Sequence, residues 1–243
     1  MHAPLILLKA AAQDFFFLQS RGYPREKSLE MVGNRYELSS QDRDILRRGV
    51  FDQKTALLRR SKQLIGPDWS DELVMIDGHN VHITLESLLL NRTLIRANDG
   101  AIRDIARISR NFRPGQTTYY VIDLITDFFR EYPAKVVYIF FDAPVSKSGE
   151  LAALYRRSFG KAGVKVVTKA VPVPEREFDY DGAIIASSDS AVIDAASRWF
   201  DLTWFIMSHR NVKPVSRIVD FFDLIMMDVM SWNFAEDWPE ACK

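Results

Sequence analysis

The sequence predicts an α/β protein in which a mainly parallel sheet is flanked by helices and preceded by a small all-helical module. Two observations predict this fold class. Short apolar runs rich in β-branched and aromatic residues alternate with helical stretches over most of the chain, which is typical of βαβ units. The N-terminal part instead contains a series of helix start and stop signals. We therefore predict two domains, a basic helical module over residues 1–65 and an α/β domain over residues 70–243.

Three helices are predicted in the first module, and they cover residues 4–20, 24–33 and 39–62. Gly22 ends the first helix and Pro24 starts the second, because Gly favours helix C-termini and Pro fits a first helical turn. The third helix begins with Ser39 and Asp42, whose spacing resembles a capping box. Its apolar residues share one arc at about 100° per residue, which indicates a face that packs on a core.

Basic residues lie along another face of this third predicted helix. Arg43, Arg47 and Lys54 fall within roughly 40° of one another on a helical projection. Residues 1–62 contain 12 Lys and Arg against 7 Asp and Glu, whereas residues 63–243 contain 20 against 25. A basic line of this kind suits contacts with an RNA phosphate backbone. It is also consistent with an ordinary solvated helix face, and the sequence leaves both interpretations open.

The elements of the second domain follow from the same patterns after the break at Gly66-Pro-Asp68. Strands are predicted at residues 73–77, 136–142, 164–171, 183–187 and 202–207. Helices are predicted near residues 83–91, 100–111, 117–131, 149–161, 190–199 and 214–230. Because helices connect most of these strands, the sheet is expected to be mainly parallel.

Three of the predicted strands lead to an aspartate where Gly, Pro or Ser ends the apolar run. These are Asp77, Asp142 and Asp189. The carboxyl ends of parallel strands open into one crevice, so the three carboxylates are expected to lie together. Close carboxylates repel one another unless one is protonated or a cation neutralises them, and Mg²⁺ and Mn²⁺ prefer such oxygen ligands. The sequence therefore predicts a Mg²⁺ or Mn²⁺ site for chemistry on a phosphate, although Asp189 alone also suits a helix N-cap.

Four further side chains are predicted to contact substrate around the crevice, namely Asn80, Lys147, Ser148 and Arg176. Asn80 lies three residues after Asp77. Lys147 and Ser148 lie at the start of a predicted helix, where backbone N–H groups suit a phosphate, although Ser often only caps the helix. Arg176 belongs to the segment 172–182, which is predicted to be either an ordered rim of the crevice or an exposed connector. Asp194 is predicted either to add a carboxylate beside Asp189 or to form a salt bridge.

Other kinds of chemistry are not indicated. The single cysteine is Cys242, and the sequence has no Walker loop, GxGxxG or GxSxG motif. His79, His82 and His209 show no metal-ligand spacing. One cysteine fits a reducing, cytoplasmic environment. No apolar run approaches the roughly 20 residues that a membrane-spanning helix needs, so no membrane span is expected.

The aspartate motifs resemble the signature of the PIN-like and NYN ribonuclease superfamily. The resemblance rests on Ile-Asp-Gly-His-Asn, Phe-Phe-Asp-Ala-Pro and Ala-Ser-Ser-Asp-Ser, in this order. It implies a parallel α/β sandwich whose clustered acids bind Mg²⁺ or Mn²⁺ and hydrolyse RNA. It assigns Asp77, Asn80, Asp142 and Asp189 to that site. Many NYN proteins have a further Asp two residues after the third acid, where this chain has Ala191.

Nearly the whole chain also resembles the prokaryotic domain-of-unknown-function family 434. This resemblance rests on Ala-Gln-Asp-Phe-Phe-Phe-Leu-Gln-Ser-Arg-Gly-Tyr-Pro, Val-Gly-Asn-Arg-Tyr-Glu-Leu-Ser and Leu-Arg-Arg-Gly-Val-Phe. It implies a helical module joined to a PIN-like domain and brings no established activity. We therefore expect a divalent-metal-dependent, ribonuclease-like hydrolase that binds RNA. Two alternatives stay open: a non-catalytic RNA-binding protein, and a small-molecule phosphohydrolase on the same fold class.

Overall fold

A computed structural model describes residues 3–105, 114–209 and 218–224. Across these ranges, every helix is too short or too polar to span a lipid bilayer. The helical module contains four helices before the first strand, namely α1 (Leu5–Ser20), α2 (Arg25–Arg35), α3 (Ser40–Gly49) and α4 (Gln53–Ser61).

The prediction of one continuous helix over residues 39–62 is wrong. Ser39 caps α3 as expected, since its side chain accepts from the backbone N–H of Asp42. The chain then becomes extended at Val50, and Asp52 caps α4 as a new helix. The interruption is fixed from outside the module, because the side chain of Asn98 bonds both the N–H and the C=O of the intervening Phe51, at 2.9 and 2.8 Å.

The break also separates the basic residues that were predicted to share one helix face. Arg43 and Arg47 lie on α3, whereas Lys54 lies on α4. The three side chains therefore do not form one continuous line, and the helical projection on which that line was based does not hold.

The α/β domain is built on a five-stranded parallel sheet with the order β5-β4-β1-β6-β7. Its strands are β1 (Leu73–Asp77), β4 (Val136–Asp142), β5 (Val166–Val171), β6 (Ile184–Ala186) and β7 (Trp199–Phe200). Its helices are α5 (Gly78–Leu89), α6 (Gln116–Glu131), α7 (Ser148–Lys161), α8 (Ser190–Ala195) and α9 (Leu202–His209). The predicted fold class is confirmed, with a parallel sheet flanked by helices after a helical module.

A second, three-stranded sheet lies against the helical module. Its strands are β2 (Leu94–Arg96), β3 (Ile102–Asp104) and β8 (Ile218–Asp220), in the order β3-β2-β8. β2 is antiparallel to β3 and parallel to β8. Apolar residues of this sheet and of the chain that follows it share one core with α1 to α4; they are Ile95, Ala97, Val219, Phe221 and Leu224. The module and this sheet therefore bury each other's apolar surface.

Three predicted elements around this region differ from the structure. Residues 102–104 of the predicted helix 100–111 pair with β2, and residues 106–111 lie outside the described residues. The predicted strand 202–207 is the helix α9, and the fifth strand is β7. Of the predicted helix 214–230, only residues 218–224 are described, and the first three of them form β8.

The error at α9 has a simple physical reason. Residues 202–207 read Leu-Thr-Trp-Phe-Ile-Met, so the sequence is apolar at almost every position and shows little periodicity, although the buried residues Leu202, Thr203, Phe205 and Ile206 share one face of the helix. A short, continuous apolar run does not distinguish a helix from a strand. Asp201 decides the outcome, because its side chain accepts from the backbone N–H of Trp204 at 2.7 Å and starts the helix.

Candidate functional site

The three aspartates lie at the same edge of the main sheet, on three neighbouring strands. Asp77 is the last residue of β1 and Asp142 is the last residue of β4, which pairs with β1. Asp189 follows β6, on the other side of β1, and caps α8. All three line one cleft of about 260 Å³. The described residues that line it are Arg48, Asp77, His79, Asn80, Ile83, Asp104, Asp142, Glu175 and Asp189.

Asp77 is the buried centre of this cleft. Its carboxylate accepts from the hydroxyl of Ser187 at 3.1 Å and from the backbone N–H of Asn80 at 3.4 Å. Burial raises the pKa of Asp77 to about 7; those two hydrogen bonds oppose the rise, and the negative charges of Asp142 and Asp189 add to it. The Asp77 carboxyl therefore titrates near neutral pH, and below that pH it carries a proton instead of a negative charge.

His79 fixes Asp142 from the first turn of α5. Its Nδ1 lies 2.9 Å from the backbone nitrogen of Asp142, whose N–H donates to it, and 3.0 Å from Oδ2 of the same residue. The ring is buried and meets Phe141 edge-on, with centroids 5.2 Å apart. Its Nε2 is buried and has no hydrogen-bond partner among the described residues. The spacing of the histidines does not predict a role for His79 in this cleft, although its place two residues after Asp77 is a local signal.

Asn80 joins the two loops that present Asp77 and Asp189. Its Oδ1 accepts from the backbone N–H of Ser188 at 2.8 Å and from the hydroxyl of the same residue at 2.9 Å. Asp189 then accepts from the N–H groups of Ala191 and Val192 at 2.8 and 3.2 Å. The N-cap role is therefore present, and the same side chain also lines the cleft. A contact between Asn80 and substrate stays a prediction.

Three further residues line the cleft and were not predicted to be site residues, namely Asp104, Arg48 and Glu175. Asp104 ends β3, and burial raises the pKa of its carboxyl while the positive charge of Arg48 opposes the rise. Arg48 comes from α3, so the helical module contributes directly to this cleft. Glu175 lies on a short 3-10 helix, Pro174–Arg176. Because residues 102–104 were predicted to be helical, Asp104 was not expected at the end of a strand.

Three predicted substrate-binding residues of the α/β domain lie outside the lining of the cleft. Ser148 is buried, and its hydroxyl is directed to the carbonyl oxygens of Asp142 and Val145. Lys147 precedes α7 with a left-handed backbone, at φ 64°, and pairs with Glu150 at 3.3 Å. Arg176 is exposed on the 3-10 helix. The segment 172–182 therefore borders the cleft through Glu175 rather than through its arginine.

The predicted basic residues of the module have different surroundings. Arg43 donates to the carbonyl of Leu38 at 3.0 Å and to the side chain of Asn34 at 2.9 Å. Arg47 forms ion pairs with Asp44 and with Glu26. Lys54 is exposed on α4. Contacts of Arg43, Arg47 and Lys54 with RNA stay predictions. For Arg43 and Arg47, an RNA phosphate would have to compete with the protein partners just described.

A buried ion cluster joins α4 to the loop that carries Asp189. Arg59 bonds both carboxylate oxygens of Asp194, at 2.7 and 2.8 Å, and one oxygen of Asp99 at 2.8 Å. Arg103 bonds both oxygens of Asp99 at 2.8 Å and the carbonyl of Ser188 at 2.8 Å. Burial alone would raise the pKa of Asp99, but the positive charges and hydrogen bonds of Arg103 and Arg59 outweigh it and hold that pKa below its ordinary value. Asp194 thus takes the salt-bridged role that the sequence left open.

A second buried polar network lies on α5, away from the cleft. The hydroxyl of Tyr155 forms a hydrogen bond of 2.7 Å with Nδ1 of His82, and burial raises the pKa of Tyr155 well above its ordinary value. Nε2 of the same ring lies 3.3 Å from Oε1 of Glu86, which also accepts from Thr118 at 2.8 Å. This network connects α5 with α6 and α7.

The cleft fits a divalent cation in the chemistry of its donors, since carboxylate oxygens are the ligands that Mg²⁺ and Mn²⁺ prefer. Within residues 3–105, 114–209 and 218–224, however, no group of three or more His, Cys, Asp or Glu side chains is placed so that it could hold a metal ion. Asp142 is directed to His79, and Asp189 is directed to the start of α8. Cation binding by the three aspartates therefore requires that some of these side chains turn into the cleft.

Comparisons with known proteins match both parts of the chain. A family model described as "Protein of unknown function (DUF434)" matches residues 7–62, and one described as "Domain of unknown function (DUF5616)" matches residues 67–204. An uncharacterized protein of Methanocaldococcus jannaschii is 30% identical over 190 residues, which cover 76% of this chain and 88% of that protein. No solved structure matches the chain.

Proposed function

This chain belongs to the protein family described as domain of unknown function DUF5616, and we propose that it is a divalent-cation-dependent, ribonuclease-like hydrolase of RNA phosphodiester bonds. The proposal carries over the resemblance of its aspartate motifs to PIN-like and NYN ribonucleases. One observation supports it above the others: three carboxylates from neighbouring parallel strands line one cleft, and the buried one has a pKa of about 7. Such a carboxyl accepts a cation in place of its proton near neutral pH.

In this proposal Asp77, Asp142 and Asp189 hold Mg²⁺ or Mn²⁺. When bound, the cation supplies Lewis acidity that lowers the pKa of a water and stabilises negative charge on the phosphate. The chain's own residues arrange this site. His79 holds Asp142 through Nδ1, and Asn80 holds the backbone of the loop next to Asp189.

The choice of RNA as substrate rests on the helical module. The module has the basic excess described above, and it meets the acidic cleft through α3. A module with a basic excess beside an acidic cleft suits a polyanion whose backbone extends beyond the reacting phosphate. RNA fits this arrangement better than a small phosphate ester, which would occupy only the cleft.

A second candidate function is RNA binding without turnover. It is favoured by the finding that no three potential ligands among the described residues are placed to hold a metal ion. Ala191 in place of a further Asp points in the same direction. In this case the cleft would retain its shape and its raised pKa but would not hydrolyse the bound strand.

The deciding experiment is cleavage of end-labelled, mixed structured RNAs with Mn²⁺, with Mg²⁺ or with EDTA. We expect cleavage only with a cation, and we expect Asp77→Asn to abolish it. The matched control is Asp201→Asn, because Asp201 is also buried with a raised pKa but does not line the cleft. RNA that is bound but not cleaved under any of these conditions would establish the second candidate. Hydrolysis of mononucleotides or p-nitrophenyl phosphate, with RNA neither bound nor cut, would contradict both.

A further inference from the structure

Arg48 is a positive charge in an otherwise acidic cleft, and it comes from the helical module. It is the one Lys or Arg side chain among the described residues that line the cleft, which also contains five carboxylates. Its side chain is 41% exposed, so solvent and a ligand can reach it. A single guanidinium among carboxylates has a specific electrostatic role, because its positive charge determines where in the cleft an anion can bind.

The position of Arg48 is determined by tight packing of the residue that follows it. A Cβ atom at Gly49 would lie 2.5 Å from Phe221 and 2.7 Å from Ile95, so only glycine allows α3 to approach the second sheet this closely. The carbonyl of Gly49 also accepts from the backbone N–H of Asn98 at 2.9 Å. The end of α3 is therefore held on the α/β domain, and Arg48 is held at the edge of the cleft.

The guanidinium of Arg48 is only partly used by the protein. Its NH1 donates to the carbonyl oxygen of Asp104 at 3.0 Å and lies 3.8 Å from Oδ1 of the same residue. Nε and NH2 make no hydrogen bond within the part of the chain that the structure describes. A guanidinium has five N–H donors in a planar fork, so a second face of this group is left for a bidentate partner such as a phosphate.

We propose that Arg48 is a substrate-binding residue that contacts a phosphate of the RNA backbone in the cleft. This inference rests on the proposed function, since it takes the bound anion to be a phosphodiester. It means that the helical module completes the binding site instead of only adding a basic surface beside it. Asp104 orients the guanidinium through its carbonyl and carboxylate oxygens and so acts as a positioning residue.

The test compares Arg48→Ala and Arg48→Lys with the wild type and with Arg198→Ala. Arg198 is a matched control, because it is 39% exposed and paired with an acid, Glu72, that precedes β1 at the opposite edge of the sheet. Binding of a fluorescein-labelled single-stranded RNA of about 12 nucleotides is followed by anisotropy in EDTA over about 50 to 200 mM salt. Melting temperatures of each variant confirm that it is folded.

Arg48→Ala is expected to weaken RNA binding about tenfold and to reduce the salt slope by about one, because one charged phosphate contact is lost. Arg48→Lys should restore the slope but only part of the affinity, since an ammonium cannot bind a phosphate through a planar fork. Arg198→Ala should behave like the wild type. Equal affinities and slopes for Arg48→Ala and the wild type would overturn the inference.

Failure of the proposed function has a different signature. If the wild type does not bind RNA, inorganic phosphate is used as the probe, and its effect on melting temperature is measured with Mn²⁺ present. A phosphate shift in the wild type and in Arg198→Ala that is lost in Arg48→Ala would refute RNA as substrate and keep Arg48 as a phosphate-binding residue. No shift in the wild type, or the same shift in all variants, would overturn both.

Discussion

Asp77→Asn should make the protein more stable at alkaline pH, and the reason lies in the proton that the native state retains. The folded-state pKa of Asp77 is about 7, against an ordinary value of 3.8. Between about pH 4 and pH 7 the unfolded chain therefore releases this proton while the folded chain keeps it. The free energy of unfolding must fall as the pH rises through this window, and it stays reduced above pH 7.

The size of this effect follows from the same two values. The difference is roughly three pH units, and each unit corresponds to about 1.4 kcal/mol, so the loss between pH 4 and pH 7 is about 4 kcal/mol at most. Asparagine is neutral at every pH and does not undergo this loss. Its side-chain oxygen can still accept from the N–H of Asn80 at the start of α5, so the helix cap is kept. The variant is expected to equal the wild type near pH 4 and to exceed it by up to about 4 kcal/mol at pH 8.

Urea unfolding in EDTA at a series of pH values measures this difference. Asp201→Asn is the control: burial raises the pKa of Asp201 to about 6, so its substitution should remove a smaller loss of about 3 kcal/mol, between about pH 4 and pH 6. Mn²⁺ should then raise the melting temperature of the wild type and of Asp201→Asn but not of Asp77→Asn. If the stability difference between Asp77→Asn and the wild type is the same at pH 5 and pH 8, the reasoning from the raised pKa is wrong.

Three further tests, two of them with a control variant, address the packing and the buried polar groups. Gly49→Ala should lower the free energy of unfolding by about 1–3 kcal/mol, because the new methyl group would lie 2.5 Å from Phe221. Gly160→Ala on α7 has open space around the new methyl group and should raise the free energy of unfolding by about 0.5–1 kcal/mol. Calorimetric melting compares the two variants. Arg59→Met should lower the free energy of unfolding by roughly 1.5–3 kcal/mol in urea unfolding, because the buried Asp99 carboxylate loses one of its two arginine partners and keeps only Arg103. Arg198→Ala at an exposed pair should lower it by less than about 1 kcal/mol. Tyr155→Phe should lower the free energy of unfolding by about 1–3 kcal/mol, since the buried Nδ1 of His82 loses its hydrogen-bond partner. An unchanged unfolding midpoint would contradict that hydrogen bond.

The strands that carry the aspartates could be predicted because their signals are local. β1 and β4 have the predicted bounds, since apolar, β-branched and aromatic residues run without interruption to Asp77 and Asp142. The rule that parallel strands open at one edge then places the acids together without any knowledge of the strand order. The structure adds that order, with β1 between β4 and β6.

The remaining parts of the cleft depend on contacts between distant segments. Arg48 and Asp104 are 56 residues apart in sequence, and neither has a neighbour pattern that indicates the other. The break between α3 and α4 likewise depends on Asn98, which lies 47 residues from Phe51. Helical periodicity across residues 39–62 therefore predicted one helix, because the interaction that interrupts it lies outside the window in which periodicity is measured.

The core that the helical module shares with the second sheet makes the two parts depend on each other for folding. Neither part can open without exposing the apolar side chains of the other, such as Val219 and Ile95 against α1 to α4. Unfolding should therefore occur in one cooperative transition, and a fragment that begins at residue 70 should present a bare apolar face and aggregate. An unrelated helical module could therefore not replace the four helices without leaving the apolar face of the second sheet exposed. An α/β domain that has this second sheet therefore needs these helices, or an equivalent apolar cover, to stay folded.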